Sequence, residues 1–239
     1  FESKRIRIVA CRESVTDFET SLRGVTPRGW PAGMTWDTVP GTYFQDKRRV
    51  VIATIDLGGQ RVVPTRESGR HGSTNLTVHE SLHGFDYSGR HAILRDRGFV
   101  TARNADFARL GTYERQAGSA GLEETFAESG ARFVADGTMA GDWSNLFTYW
   151  QGSPLESFES VVSPFAAAEA VEAADAPIGM AELKDDGSIV LDLRAEGEGG
   201  AIGHALLTVR PGDAAYHALS AHVGGELEGV ARARVPFKP

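Results

Sequence analysis

One short motif, HESLH at residues 79–83, constrains both the local fold and the chemistry of this chain. Residues four apart lie one turn apart on an α-helix, so its two histidines share a face and can bind one metal ion. Glu80 projects beside such an ion, where it can accept a proton from water. Val78, Leu82 and Phe85 form an apolar stripe on another side. The motif predicts a packed helix with one face towards a cleft.

A metal site in this chain has to use histidine and carboxylate ligands, because the single cysteine, Cys11, excludes thiolate zinc sites and internal disulfides. A catalytic zinc ion has three protein ligands and one open position, so His79 and His83 need a third ligand from another element. Glu124 and Glu128 stack one turn apart on a second predicted helix. From spacing alone, these two glutamates fit a third ligand and a solvated acidic face equally well.

The second predicted helix, which extends to residue 136, also has small residues where a neighbour could approach. Ala127, Gly130 and Ala131 lie together on it, so we expect another helix to pack closely there. His71 precedes the motif helix in a glycine-containing segment, and we expect it to be a solvated loop residue.

The overall charge and hydrophobicity exclude two classes of partner. The chain has 25 basic and 32 acidic side chains, a net charge of -7, and such a surface is poorly suited to a phosphate backbone. We therefore expect no nucleic-acid partner. No continuous apolar run is long enough to span a bilayer, so no membrane span is expected. Because the chain starts at Phe1, we expect it to be part of a larger polypeptide or carrier, and its compartment stays unassigned.

The motif and its surroundings resemble a known family. HESLHGFD at residues 79–86, followed further along by ETFAE at 124–128, looks like the catalytic domain of anthrax lethal factor and its relatives, which include the clostridial Pro-Pro endopeptidases. The segment WDTVPGTY at 36–43 and the following predicted strand also resemble the region before the zinc helix of that family. The resemblance covers roughly residues 25 to 140.

The resemblance implies a zinc site and a role for each of its residues. His79, His83 and Glu124 would bind Zn²⁺, and Glu80 would be the general base. Glu128 would be an outer partner that hydrogen-bonds to a ligand or holds the two helices together.

The family also places a tyrosine hydroxyl opposite the oxyanion, shortly before the third ligand. The nearest tyrosine here is Tyr113, but its distance in sequence from Glu124 is longer than the family pattern. Tyr87, just after the motif helix, is the weaker alternative.

Composition along the chain predicts two folded units. Most of the acidic excess lies in the last 80 residues, and an alanine-rich stretch separates these residues from the motifs. We therefore predict an α+β, zincin-like metallopeptidase domain at 1–158, with a small sheet and the HExxH helix. An Ala-rich linker at 159–178 and a small α+β, β-rich C-terminal domain at 179–239 follow.

The leading functional prediction is a zinc-dependent endopeptidase that acts on protein or peptide substrates. The resemblance further favours a bacterial toxin or effector that is secreted or delivered. Two alternatives remain: a catalytically silent interaction module, and a zinc amidase that acts on cell-wall peptides. We expect an extended substrate to bind beside an exposed strand, for which residues 49–55 are the candidate.

Overall fold

The computed structural model describes residues 5–68, 71–89, 91–136, 139, 142–152, 177–227 and 234–237. The first part of the chain contains strands β1 (Arg7–Cys11), β2 (Gly41–Phe44), β3 (Arg49–Ala53), β4 (Ile55–Leu57) and β5 (Gln60–Val62) and helices α1 (Leu76–Ser88), α2 (Arg97–Asp106), α3 (Gly118–Asp136) and α4 (Ser144–Gln151). The last part contains strands β6 (Gly179–Leu183), β7 (Ile189–Gly197), β8 (Ala201–Val209) and β9 (Arg234–Phe237) and helix α5 (Tyr216–Leu227). The fold is a mixture of sheet and helices, as the α+β prediction requires.

Seven strands from both ends of the chain form one sheet, in the order β1-β3-β2-β8-β7-β6-β9. Strands β1 and β3 are parallel, whereas the other neighbouring pairs are antiparallel. Strand β3 has a partner on each side, so it is not the exposed strand that the sequence predicted for substrate binding.

The C-terminal strands continue the first sheet, whereas the sequence predicted a separate small domain at 179–239. Strand β8 pairs with β2 from Gly41 opposite His204 to Phe44 opposite Ala201. The physical reason is that β8 satisfies the backbone groups along the edge of β2, and a few strands alone bury too little apolar surface to be stable. The predicted linker at 159–178 lies outside the described residues up to residue 176.

The sheet separates two apolar cores. Alternate residues of a strand point to opposite faces. Val50 and Ile52 accordingly pack with the helices α1 to α4, whereas Val51 packs in the second core with Trp36 and, from α5, Leu219. Within the described residues, no helix has the length and apolarity needed to cross a membrane.

Helix α1, which carries the HESLH motif, is held between the sheet and helix α3. Its N-cap is Asn75, whose side chain accepts a hydrogen bond from the Val78 amide at 3.2 Å. Gly130 of α3 lies against the side chain of Leu82 from α1 and the ring of Trp150 from α4. The close approach that the sequence predicted at this glycine is confirmed.

The contact at Gly130 generates a stability prediction. A Gly130→Ala methyl would lie 2.7 Å from the Trp150 ring and would also overlap Leu82. We expect overpacking to lower the free energy of unfolding by about 1–3 kcal/mol, measured by urea denaturation. In the control, Gly98→Ala in α2, the site is exposed and the nearest atom is a carboxylate oxygen of Asp96 at 3.2 Å. The control should change stability by less than about 1 kcal/mol. Equal effects of the two substitutions would contradict the packing argument.

Candidate metal centre

Helix α1 places the two motif histidines side by side in the protein interior. Their side chains are only 2% exposed, and the two Nε2 atoms are 3.1 Å apart. This arrangement follows from the helical repeat, because a spacing of four residues stacks the two imidazoles on one face.

Helix α3 brings a carboxylate to the same point. Oε2 of Glu124 is 3.3 Å from His79 Nε2 and 3.4 Å from His83 Nε2. The three ligand atoms therefore form a nearly equilateral triangle. Tetrahedral zinc with bonds of about 2.0–2.1 Å separates its ligand atoms by about 3.3–3.4 Å. The three side chains fit a zinc ion.

The electrostatics of this triangle also suit a cation. Burial alone lowers the pKa of His79, but the carboxylates of Glu124 and Glu128 outweigh it and raise this pKa to about 10. Burial opposes ionisation of Glu124, yet His83 and His79 hold its pKa well below the usual value. Within the described residues, neither carboxylate oxygen of Glu124 has a hydrogen-bond donor in place. A divalent cation can take the place of the protons that these groups otherwise attract.

Glu80 lies beside the triangle and makes no hydrogen bond through either carboxylate oxygen to any described residue. Its Oε1 is 3.8 Å from Nε2 of His71, and the side chain packs against Gly41 of β2. Burial raises the pKa of Glu80, although His79 and His83 partly oppose this change. The geometry leaves its carboxylate available to accept a proton.

Glu128 faces the other side of His79. Its Oε2 is 3.5 Å from His79 Nδ1, so the Nε2 atom of that ring is directed towards the triangle. Its Oε1 accepts hydrogen bonds from the Thr74 amide and hydroxyl, Arg66 and Arg132 at 3.1–3.3 Å. A carboxylate that is held in this way beside Nδ1 can orient an imidazole whose Nε2 binds a metal.

The two candidate tyrosines have different surroundings. Tyr113 is buried, its ring stacks on His204 at a centroid distance of 4.4 Å, and its hydroxyl has no hydrogen-bond partner among the described residues. The Tyr87 hydroxyl donates to Glu123 at 3.2 Å and accepts from Arg194 at 2.6 Å. Of these two tyrosines, therefore, only Tyr113 has a hydroxyl without a hydrogen-bond partner among the described residues.

The structure adds two histidines that the sequence did not assign to the site. His71 is fully buried, so the expectation of a solvated residue was wrong, and its Nδ1 accepts a hydrogen bond from the Ser73 amide at 2.8 Å. His204 of β8 is paired with Asp192 of β7, and its ring centroid is 5.6 Å from that of His79. No motif spacing connects these histidines to residue 79. For His204, the available signal was a polar residue in an otherwise apolar strand.

A second cluster, formed by Asp86, His91 and Glu123, lies next to the triangle, and its charges are paired with one another and with Arg194. His91 Nδ1 is 3.2 Å from Glu123 and 3.6 Å from Asp86. Burial opposes ionisation of Glu123, but Arg194 and His91 hold its pKa at about 2. The charge of Glu123 is therefore already balanced, and the cluster differs from the triangle in this respect.

A cleft of about 290 Å³ reaches the site, and His79, Tyr113 and His204 contribute to its lining. One wall is the face of the C-terminal strands, with Met180, Asp192 and Leu206 on adjacent strands in register. The rest of the lining includes residues 111–114 and two side chains of α3, Glu128 and Arg132. The open side of the candidate centre is thus built from both ends of the chain.

Comparisons with known proteins relate the chain to the Pro-Pro endopeptidases. It is 38% identical over 88 residues to a Pro-Pro endopeptidase of Paenibacillus alvei, a match that covers 35% of each chain. The chain thus matches about a third of that relative's length. The solved structure of the Pro-Pro endopeptidase PPEP-2 from the same organism is 24% identical, with a TM-score of 0.48, 64% of this chain covered and 80% of that chain. The chain matches no known family model. The sequence match confirms the predicted relation to Pro-Pro endopeptidases.

Glu114, in the cleft wall, generates a pH prediction. Burial, with a smaller contribution from Glu128, raises the pKa of Glu114 from 4.5 to about 7. Because the folded state favours the protonated carboxyl, stability is lost as the pH rises from 4.5 through about 7. We expect Glu114→Gln to raise the free energy of unfolding at pH 8 by about 1–3 kcal/mol, with little change at pH 4. Urea denaturation at both pH values measures this difference.

The control for Glu114 is Glu13→Gln, which removes a carboxylate that is 57% exposed and pairs with Arg61. This variant should keep the pH dependence of the unsubstituted chain. A stability gain of Glu114→Gln that is the same at pH 4 and pH 8 would refute the assignment.

Proposed function

We propose that this chain is a zinc-dependent endopeptidase. The observation that carries the proposal is the triangle of His79, His83 and Glu124, whose ligand atoms are 3.1–3.4 Å apart in a site that a cleft reaches. The partial match to a Pro-Pro endopeptidase supports peptide hydrolysis as the reaction. The fold is then zincin-like, with α1 as the HExxH helix.

In the proposed hydrolysis, each side chain of the site has a separate role. When bound, zinc acts as a Lewis acid that makes water a nucleophile near neutral pH and polarises a peptide carbonyl. Glu80 accepts a proton as the water oxygen bonds to the carbonyl carbon, and it returns this proton to the nitrogen when the C–N bond breaks. Glu128 keeps the His79 ring oriented.

Tyr113 is assigned to the carbonyl oxygen. Its hydroxyl is buried at the cleft and, among the described residues, has no hydrogen-bond partner of its own. A donor in this position stabilises the negative charge that grows on the oxygen during attack. Tyr87 cannot take this role in the observed arrangement, because Arg194 and Glu123 hold its hydroxyl.

The cleft suits an extended peptide that crosses the face of strands β6 to β8. A substrate cannot pair as an added strand with β2 or β3, because each of these strands already has a neighbour on both sides. The Pro-Pro bond named for the relative is the first sequence to test. Secretion or delivery as a toxin or effector stays a prediction from the resemblance.

The general-base role predicts a separation of metal binding from hydrolysis. We expect about one zinc per chain in both the unsubstituted protein and Glu80→Gln, because Glu80 is not one of the three ligands. Hydrolysis of a peptide library that includes Pro-Pro sequences, followed by mass spectrometry, should be lost only in the variant. Equal cleavage by both proteins would remove Glu80 from the mechanism. An unsubstituted chain that binds no zinc would overturn the proposal.

The oxyanion role predicts a selective loss of rate. Tyr113→Phe should lower kcat by about 10²–10³-fold and leave the zinc content unchanged, because one donor is removed without loss of a ligand. The control is Tyr149→Phe, which removes a partly buried hydroxyl that donates to Asp96 at 2.9 Å in another part of the helical layer. Kinetic measurements on a cleaved peptide compare the two. A kcat that Tyr113→Phe leaves intact would exclude this tyrosine.

A further inference from the structure

Arg194 connects the C-terminal strands to both helices of the candidate metal centre. It lies on β7, and its side chain is only 7% exposed. We propose that Arg194 is a positioning residue of the zinc site, whose guanidinium holds the carboxylate of Glu124 in its ligand orientation. This inference rests on the proposed zinc site and extends it to a part of the chain that carries none of the three ligands.

The two oxygens of Glu124 face different partners. Oε2 lies against the histidine nitrogens at 3.3 and 3.4 Å, whereas Oε1 is 3.6 Å from Nη1 of Arg194. The guanidinium attracts Oε1 and thereby leaves Oε2 directed at the metal position. A carboxylate restrained in this way offers one oxygen to the ion.

The guanidinium is itself fixed by three further contacts. Nη1 donates to Glu123 at 2.8 Å, Nη2 donates to the Tyr87 hydroxyl at 2.6 Å, and Nε donates to Glu196 at 3.0 Å. These partners belong to α3, α1 and β7. Arg194 is therefore held from three elements, and its planar fork cannot be replaced by the single ammonium group of lysine.

The charge balance gives a second reason for this arrangement. Glu123 and Glu124 are consecutive residues, and both are buried. Two such carboxylates repel each other unless positive charge lies between or beside them. Arg194 contacts both and leaves the other oxygen of Glu124 free for the ion.

The experiment must separate an effect on Glu124 from a general loss of stability. Arg194→Met alone would leave Glu123 buried with its main charge partner removed, and this variant could unfold. We therefore compare Glu123→Gln with the double variant Glu123→Gln/Arg194→Met, in which the unpaired charge at position 123 is absent. The matched control is Arg28→Met, which removes a 70% exposed arginine that pairs with Glu196.

Zinc dissociation constants are measured on the purified full chains by competition with a chromophoric chelator, and thermal unfolding of the metal-free proteins checks that each is folded. We expect the double variant to bind zinc about 10- to 100-fold more weakly than Glu123→Gln. Arg28→Met should match the unsubstituted chain. If the double variant is unfolded, Arg194→Lys is measured against the unsubstituted chain, with weaker binding expected because the fork is lost.

The outcomes distinguish the inference from the proposed function. Zinc affinities of Glu123→Gln and the double variant within twofold of each other would overturn the positioning role, even if the unsubstituted chain binds zinc and cleaves peptides. The same conclusion applies if Arg194→Lys, used as the substitute, keeps the unsubstituted affinity. Failure of the unsubstituted chain to bind zinc would instead remove the zinc site, and the inference with it.

Discussion

The packing of helix α1 against helix α3 is the constraint on which the candidate site depends. The helical repeat sets the spacing within each pair of functional residues, but only the contact between the helices sets the distance from Glu124 to the histidines. Gly130 permits this contact because it leaves space for Leu82 of α1. Metal–ligand bonds tolerate changes of only a few tenths of an ångström. The geometry of the proposed metal site therefore depends on this apolar contact.

The candidate site also depends on the pairing of β8 with β2, which brings residues from the C-terminal part of the chain to it. Gly41 of β2 packs against α1 at Glu80, and His204 of β8 lies opposite Gly41. Arg194 of β7 lies opposite His204 in turn. One continuous register thus connects the general-base candidate to two polar residues far away in sequence. The C-terminal strands are a wall of the site because the sheet is continuous.

The sequence predicted the parts of the site that local periodicity encodes. His79 and His83 are one turn apart, and the same holds for Glu124 and Glu128, so each pair shares a face whatever the rest of the chain does. His204 and Arg194 were missed because strand pairing between distant segments leaves no fixed spacing in the sequence. The shift in charge after residue 160 was interpreted as a domain boundary, yet the sheet crosses it. A change in composition indicates where the exposed surface and linkers lie, but it does not indicate which strand has an unpaired edge.

The charges around the four buried glutamates of α1 and α3 support the proposed cation at the triangle. Glu128 is balanced by Arg66 and Arg132, and Glu123 by Arg194 and His91. Among the described arginines and lysines, Glu124 contacts only Arg194, at 3.6 Å, and Glu80 contacts none; both otherwise face histidines. Burial of an uncompensated carboxylate is costly, and histidines balance it only when they are protonated. A divalent ion held by neutral imidazoles would supply the missing charge without those protons, and this charge balance supports the proposed metal site.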